Sequence, residues 1–223
     1  MMKNQQFFLK VALKNVLLDR DIEILHVLLT KVRFLSLRQI ADAFFAGDMA
    51  NAVRRLETLE ERGFLVSFRL NARTPAPVNS PLVIWTPGSD QPSASRIAYC
   101  LGKRWLRQGT RMRLCYFVGP RFEAMTGIPC RAKPLHTLQA SHDLGLAELF
   151  LYFRQNRSED AILWRGENAS DVTDLKSQRP DAVLLDSSGY EARVIEYGGL
   201  YNAKRLDRLH RCCKQRSLPY ELW

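Results

Sequence analysis

Three carboxylates and a lysine in the last third of the chain are of the types that phosphodiester hydrolysis requires. Asp181 heads the apolar run Ala182-Val-Leu-Leu185, and Glu196 closes the run Ala192-Arg-Val-Ile195. The intervening Ser187-Ser188-Gly189 turn predicts a hairpin that brings the two together. With Glu148 from a preceding helix they would offer a hard divalent cation the oxygen ligands needed to activate water. Lys204 on the next helix, or Arg193 on the second strand, would supply positive charge for a phosphoryl transition state. The alternative is a fold kept for its shape, with Asp181 capping or pairing and Glu196 bonded to Tyr201 or Arg205. Mg2+ is expected only if this centre cuts, and no confident metal ligand set and no other cofactor are read here. His136 and His142 stand six residues apart, a poor helical spacing for sharing an ion, so His142 reads as a hydrogen-bonded structural histidine. No Gly-rich phosphate loop or nucleophile elbow occurs.

A second set of residues has the chemistry to read duplex DNA. Major-groove recognition needs a helix with an apolar inner face and long or amide-bearing outer side chains, because guanine and adenine edges are read by such groups. Residues 49–62 offer this: Ala52, Val53, Leu56 and Leu59 face inward, and Asn51, Arg54, Arg55 and Thr58 face out. Arg38 and Gln39, at the start of the preceding helix, are expected phosphate contacts. Arg69 and Arg73 are expected on an adjoining hairpin. Winged helices also mediate protein contacts, which makes a protein-interaction module the competing reading and a metal-dependent endonuclease the other alternative.

The elements that must position these side chains follow from apolar spacing and end signals. Asp19 is expected to cap a first helix carrying Ile22, Leu25, Leu28, Leu29 and Val32. Ser36-Leu-Arg-Gln39 has the form of a capping box and opens a second helix that ends at Gly47. Asp48 caps the third, and Gly63 stops it. Phe64–Leu70 and Pro81–Thr86 then read as the two strands of a wing. The chain is therefore expected to be α+β: an N-terminal winged helix-turn-helix domain over 1–87, a basic connecting segment over 88–134, and a small mixed α/β restriction-endonuclease-like domain over 135–223. In that last part a long helix ends near Asn156, and strands at 161–165, 180–185 and 192–197 precede a basic helix, 202–216, and a final strand.

Charge points the same way. The net charge is +10, and its excess is +4 over residues 1–87, +7 over 88–140 and −1 over 141–223. Such clustering favours a polyanionic partner, since phosphate binding releases counterions. No apolar run reaches the length of a membrane span, so a cytoplasmic location without membrane contact is expected. The five cysteines show no Cys-x-x-Cys spacing and read as reduced, mostly buried thiols.

The helix opening Asp19-Arg-Asp-Ile-Glu-Ile-Leu, with Ser141-His-Asp-Leu-Gly-Leu-Ala, Arg179-Pro-Asp-Ala and Val194-Ile-Glu-Tyr, resembles the replication-relaxation family of bacterial plasmids and mobile elements. That resemblance implies a DNA-binding protein of plasmid replication, copy control or transcription regulation, with a second domain like the PD-(D/E)xK nuclease core. In that core a Lys stands two residues after the second carboxylate, and here the position is Gly198. The second domain is accordingly expected to be degenerate and the chain a regulator rather than an enzyme. Double-stranded DNA is the expected partner. A homodimer is expected as well, because one recognition helix reads too few base pairs for genomic specificity.

Overall fold

The computed structural model describes residues 17–127, 132–167 and 179–223, which form a mixed α+β fold with eight helices and two sheets among them. Helices α1 (Asp19–Thr30), α2 (Leu37–Phe44) and α3 (Met49–Glu61) come first, with the two-residue strand β1 (Leu35–Ser36) between α1 and α2. Ser36 and Gln39 close the capping box: the Gln39 amide N–H donates to Ser36 Oγ (3.3 Å), and the Ser36 N–H donates to Gln39 Oε1 (3.0 Å). Asp48 Oδ1 accepts the Asn51 N–H at 3.0 Å, and Gly63 takes the left-handed conformation (φ 74°) that ends α3. At α1 the capping carboxylate is that of Asp21, which accepts the Leu18 N–H at 2.8 Å, rather than Asp19.

The first sheet corrects the expected wing. Strand β2 (Leu65–Arg73) pairs antiparallel along its whole length with β4 (Thr110–Val118), and β1 pairs on the other side of β4. The segment expected as the returning strand forms β3 (Val83–Trp85), which instead pairs with the last strand, β8 (Tyr220–Leu222). The nine-residue β2–β4 register buries Cys115 to Val118 of β4, whereas β3 can offer three residues. Length and burial favour the more distant partner. Residues 88–134, expected as a connecting segment, thus contribute β4 to the first sheet. They also supply α4 (Ala94–Leu106), which packs on α8 (Ala203–Gln215), and the short α5 (Pro120–Thr126).

The second sheet runs β3-β8-β7-β6-β5, with β5 (Trp164–Gly166), β6 (Ala182–Leu185) and β7 (Glu191–Glu196); only the β7–β8 pair is parallel. Most of the strand expected at 161–165 is instead helix α7 (Ser158–Leu163). Helix α6 (Thr137–Asn156) is buried around most of its circumference and joins the sheets through one apolar core, in which Ile24, Leu25 and Leu56 of the helical part are continuous with Phe153, Trp164 and Ile195. Polar bonds reinforce that junction. Lys31 Nζ donates to the Trp164 carbonyl at 2.7 Å, and the Trp164 indole donates back to the Lys31 carbonyl at 3.0 Å. Among the described residues no helix is long and apolar enough to cross a membrane.

Candidate functional site

The β6–β7 hairpin brings Asp181 and Glu196 together, as the turn between their strands predicts, and buries both, at 4% and 0% exposure. Among the described residues, both carboxylates are closed off from solvent by their neighbours. Asp181 Oδ2 accepts the Tyr197 N–H at 2.8 Å and lies 3.1 Å from His142 Nε2. The imidazolium, that N–H and Arg205 together outweigh burial and hold Asp181 below the usual aspartate range. His142 is correspondingly raised well above an ordinary histidine, because the two aspartates beside it, Asp181 and Asp143, overcome the cost of its own burial.

Glu196 behaves oppositely. Burial, reinforced by the Asp181 charge, pushes it up to about 8, so it is mostly protonated at neutral pH. Tyr201 donates to Glu196 Oε2 at 2.8 Å, while Oε1 is buried without a hydrogen-bond partner. The Arg205 guanidinium stacks 3.7 Å from the centre of the Tyr201 ring and donates to its hydroxyl at 2.9 Å. A chain of polar contacts continues outward. Asp143, the neighbour of His142 on α6, accepts from Gln139 (2.6 Å) and from Arg33 (2.8 Å), and Arg33 also pairs with Glu167. The centre therefore links the α1–β1 connection to the second sheet by paired charges.

Mg2+ does not fit this donor set. One aspartate oxygen already bonds an imidazolium and a backbone N–H, and the glutamate is mostly protonated at neutral pH. Glu148, the expected third ligand, lies five residues beyond Asp143 on α6, about 140° around the axis. It faces α2, where Gln39 donates to its Oε2 at 2.9 Å. Among the described residues no group of three or more His, Cys, Asp or Glu is arranged to hold a metal ion. Lys204 is exposed on the outer face of α8, and the cation turned toward the centre is its neighbour Arg205. Arg193 pairs with Glu221 at 2.8 Å. Gly198 also has a steric explanation: a Cβ there would overlap the buried Leu101 side chain of α4, so the position cannot carry a lysine without displacing that side chain.

The residues expected to meet DNA divide into two groups. Arg38, Arg54 and Arg69 are exposed, with Asn51 and Thr58 half-buried beside Arg54 on α3. Arg38 pairs with Asp42 at i,i+4, and Arg54 lies 3.4 Å from Asn51 Oδ1. Three others are committed internally, correcting the expectation. Gln39 is buried, its amide donating to Glu148 and to the Leu144 carbonyl (3.2 Å). Arg55 turns back along α3 to pair with the fully buried Asp21 of α1. Arg73 donates to the Gln108 carbonyl at 2.5 Å, with its guanidinium 6.0 Å from the Trp105 ring. Each has a tertiary partner far along the chain, so their spacing within a helix or strand carried no sign of it. Tyr201, one of the two expected partners of Glu196, donates to it, and Arg205, the other, bonds to the Tyr201 hydroxyl instead, whereas the contact of His142 with Asp181 is made between distant segments that only tertiary packing brings together. The one local hint was Ser141-His-Asp on a long, largely apolar helix, where a buried charge must find a partner.

Compared with protein-family models, curated proteins and solved structures, the chain matches none.

Proposed function

We propose that this chain is a double-stranded-DNA-binding regulator of the winged-helix type, whose nuclease-like second part is structural rather than catalytic. The observation that carries this reading is the presentation of α3. Arg55 and Asp21 brace the helix from behind, Asp48 caps it, and Arg54, Asn51 and Thr58 remain on the solvent side. A helix about 10–12 Å across fits the major groove, about 12 Å wide. Arg54 suits a guanine edge, Asn51 an adenine edge, and Thr58 a phosphate or a thymine methyl. Strand β2, paired with the more distant β4, follows α3 at once and leaves Arg69 exposed for the neighbouring backbone. A homodimer would double the short site one helix can read, and a cytoplasmic role in plasmid or mobile-element replication or transcription agrees with the resemblance in the sequence.

The test is selection from a randomised duplex pool, followed by anisotropy on the enriched duplex with Arg54→Ala and Asn51→Ala. The reading expects one enriched motif and a loss of about 1–3 kcal/mol at the positions each side chain reads. Enrichment of no motif, or full affinity in both variants, overturns it in favour of a protein-interaction module. Mg2+-dependent strand cleavage abolished by Asp181→Ala would reinstate the endonuclease.

A further inference from the structure

Among the described residues, a concentration of outward positive charge lies on α8 and α4, away from α3. On α8, Lys204, Arg208, Arg211 and Lys214 are all exposed, and their spacing of four, three and three residues confines them to about one third of the helix circumference. The opposite side, Leu206, Leu209, His210 and Cys213, is buried. The only acid on this helix, Asp207, accepts from the Gln91 amide at 3.2 Å. Among the described residues no carboxylate pairs with any of the four cations; Arg211 makes one long bond, 3.4 Å, to a backbone carbonyl of its own helix. Helix α4, packed against α8 through Leu101 and Leu206, contains no acid and exposes Arg96 and Lys103. The outer face of α3, by contrast, sets Arg54 beside Glu57 and Glu61.

We infer that the α4–α8 face is a sequence-independent binding surface for the phosphate backbone of duplex DNA, separate from the reading helix. The inference rests on the DNA-binding reading above. The α8 stripe spans about 15 Å at 1.5 Å per residue. That length matches a continuous polyanion carrying about one charge per 1.7 Å of axis better than a single bound phosphate. A membrane surface suits it less well. The apolar side of α8 is sealed against the sheet, and the α8 stripe has no large apolar side chain to insert between lipids, while on α4 two exposed ones, Tyr99 and Leu106, stand beside Lys103.

The experiment uses the full chain and a 20-base-pair mixed-sequence duplex, titrated by fluorescence anisotropy from 50 to 300 mM NaCl. Wild type is compared with the quadruple variant Lys204→Gln/Arg208→Gln/Arg211→Gln/Lys214→Gln, with the charge-conserving Arg208→Lys/Arg211→Lys, and with Arg54→Ala. Thermal melts verify folding, which substitutions on an exposed face leave intact. The inference expects the quadruple variant to lose at least tenfold in affinity at 150 mM NaCl. It also expects a salt slope reduced by about 3–4, near 0.9 for each lost contact. The charge-conserving variant should stay within about twofold of wild type. An unchanged slope in the quadruple variant while wild type still binds overturns this inference alone and leaves the reading helix standing. Absence of wild-type binding at 50 mM NaCl overturns both, and capture by phosphatidylserine vesicles without duplex binding assigns the face to a membrane instead.

Discussion

His142 Nε2 of helix α6 lies 3.1 Å from Asp181 Oδ2 at the head of strand β6, with Asp181 buried and His142 half-buried, so a histidine cation occupies the side of the carboxylate where a nuclease would need an open position for metal and water. Removing His142 leaves Asp181 as a buried charge without its cation, and removing Asp181 takes from His142 one of its two aspartates. His142→Ala and Asp181→Asn should each lower stability by about 3–5 kcal/mol. In a double-mutant cycle the pair should cost less than the sum of the singles. Urea unfolding of the four proteins checks this, and strictly additive losses would mean that the contact does not couple them.

Stability should fall as pH rises from about 5 to 9. Glu196, raised to about 8, holds a proton that the unfolded chain releases near pH 4–4.5, so its contribution is full at low pH and lost through about 8. His142, raised well above its usual value, adds a second proton of the same sign above about pH 6.5. Glu167, raised by burial, acts in the same direction. Asp181 is lowered, and its contribution disappears only as pH falls below the usual aspartate range. His210 is lowered by burial, and its opposing effect is confined below about 6.5. Each extra bound proton corresponds to about 1.4 kcal/mol per pH unit. Melting curves of wild type and Glu196→Gln across this range should show the variant with the shallower decline. Parallel curves would show that Glu196 is already ionised in the folded protein.

Adjacent arginines on α3 should separate stability from binding. Arg55→Ala strands the buried Asp21 and should cost about 3 kcal/mol of stability. Arg54→Ala removes an exposed side chain and should stay within about 0.5 kcal/mol of wild type while weakening duplex binding. Paired Tm and anisotropy measurements distinguish the two, and equal melting temperatures would contradict the brace assigned to Arg55.

Restoring the missing lysine should not restore a nuclease. Gly198→Lys drives a side chain into Leu101 of α4, in a turn where the Gly198 N–H donates to the Trp223 carbonyl and its own carbonyl accepts from Arg104, each at 2.9 Å or less. A destabilised protein that leaves supercoiled plasmid intact in Mg2+ is expected; nicking that depends on Asp181 would contradict the sealed centre.

Gly145→Ala tests the same packing from α6. Alanine usually stabilises a helix interior by about 1 kcal/mol relative to glycine, but a Cβ at this position would overlap the Tyr197 ring. A lowered Tm is expected, partly recovered when Tyr197→Ala is added. A raised Tm would show that the ring can move aside.

The amino-acid sequence by itself determined whatever depends on neighbours within a few residues. The Ser36–Gln39 and Asp48 caps, the stop at Gly63, the apolar stripes of the first three helices, and the hairpin that pairs Asp181 with Glu196 are all local, and each occurs at or close to its expected position. What only the tertiary structure decided depends on groups that meet across long stretches of chain. Val83–Trp85 and Thr110–Val118 both carry strand-forming residues, and the choice of β4 over β3 as the partner of β2 rests on a longer register and deeper burial. The same holds for side chains: Gln39 and Glu148, expected to serve two different sites, bond to each other, because the N-terminus of α2 packs against α6 and a buried amide or carboxylate must be satisfied by whatever polar group that packing brings within reach.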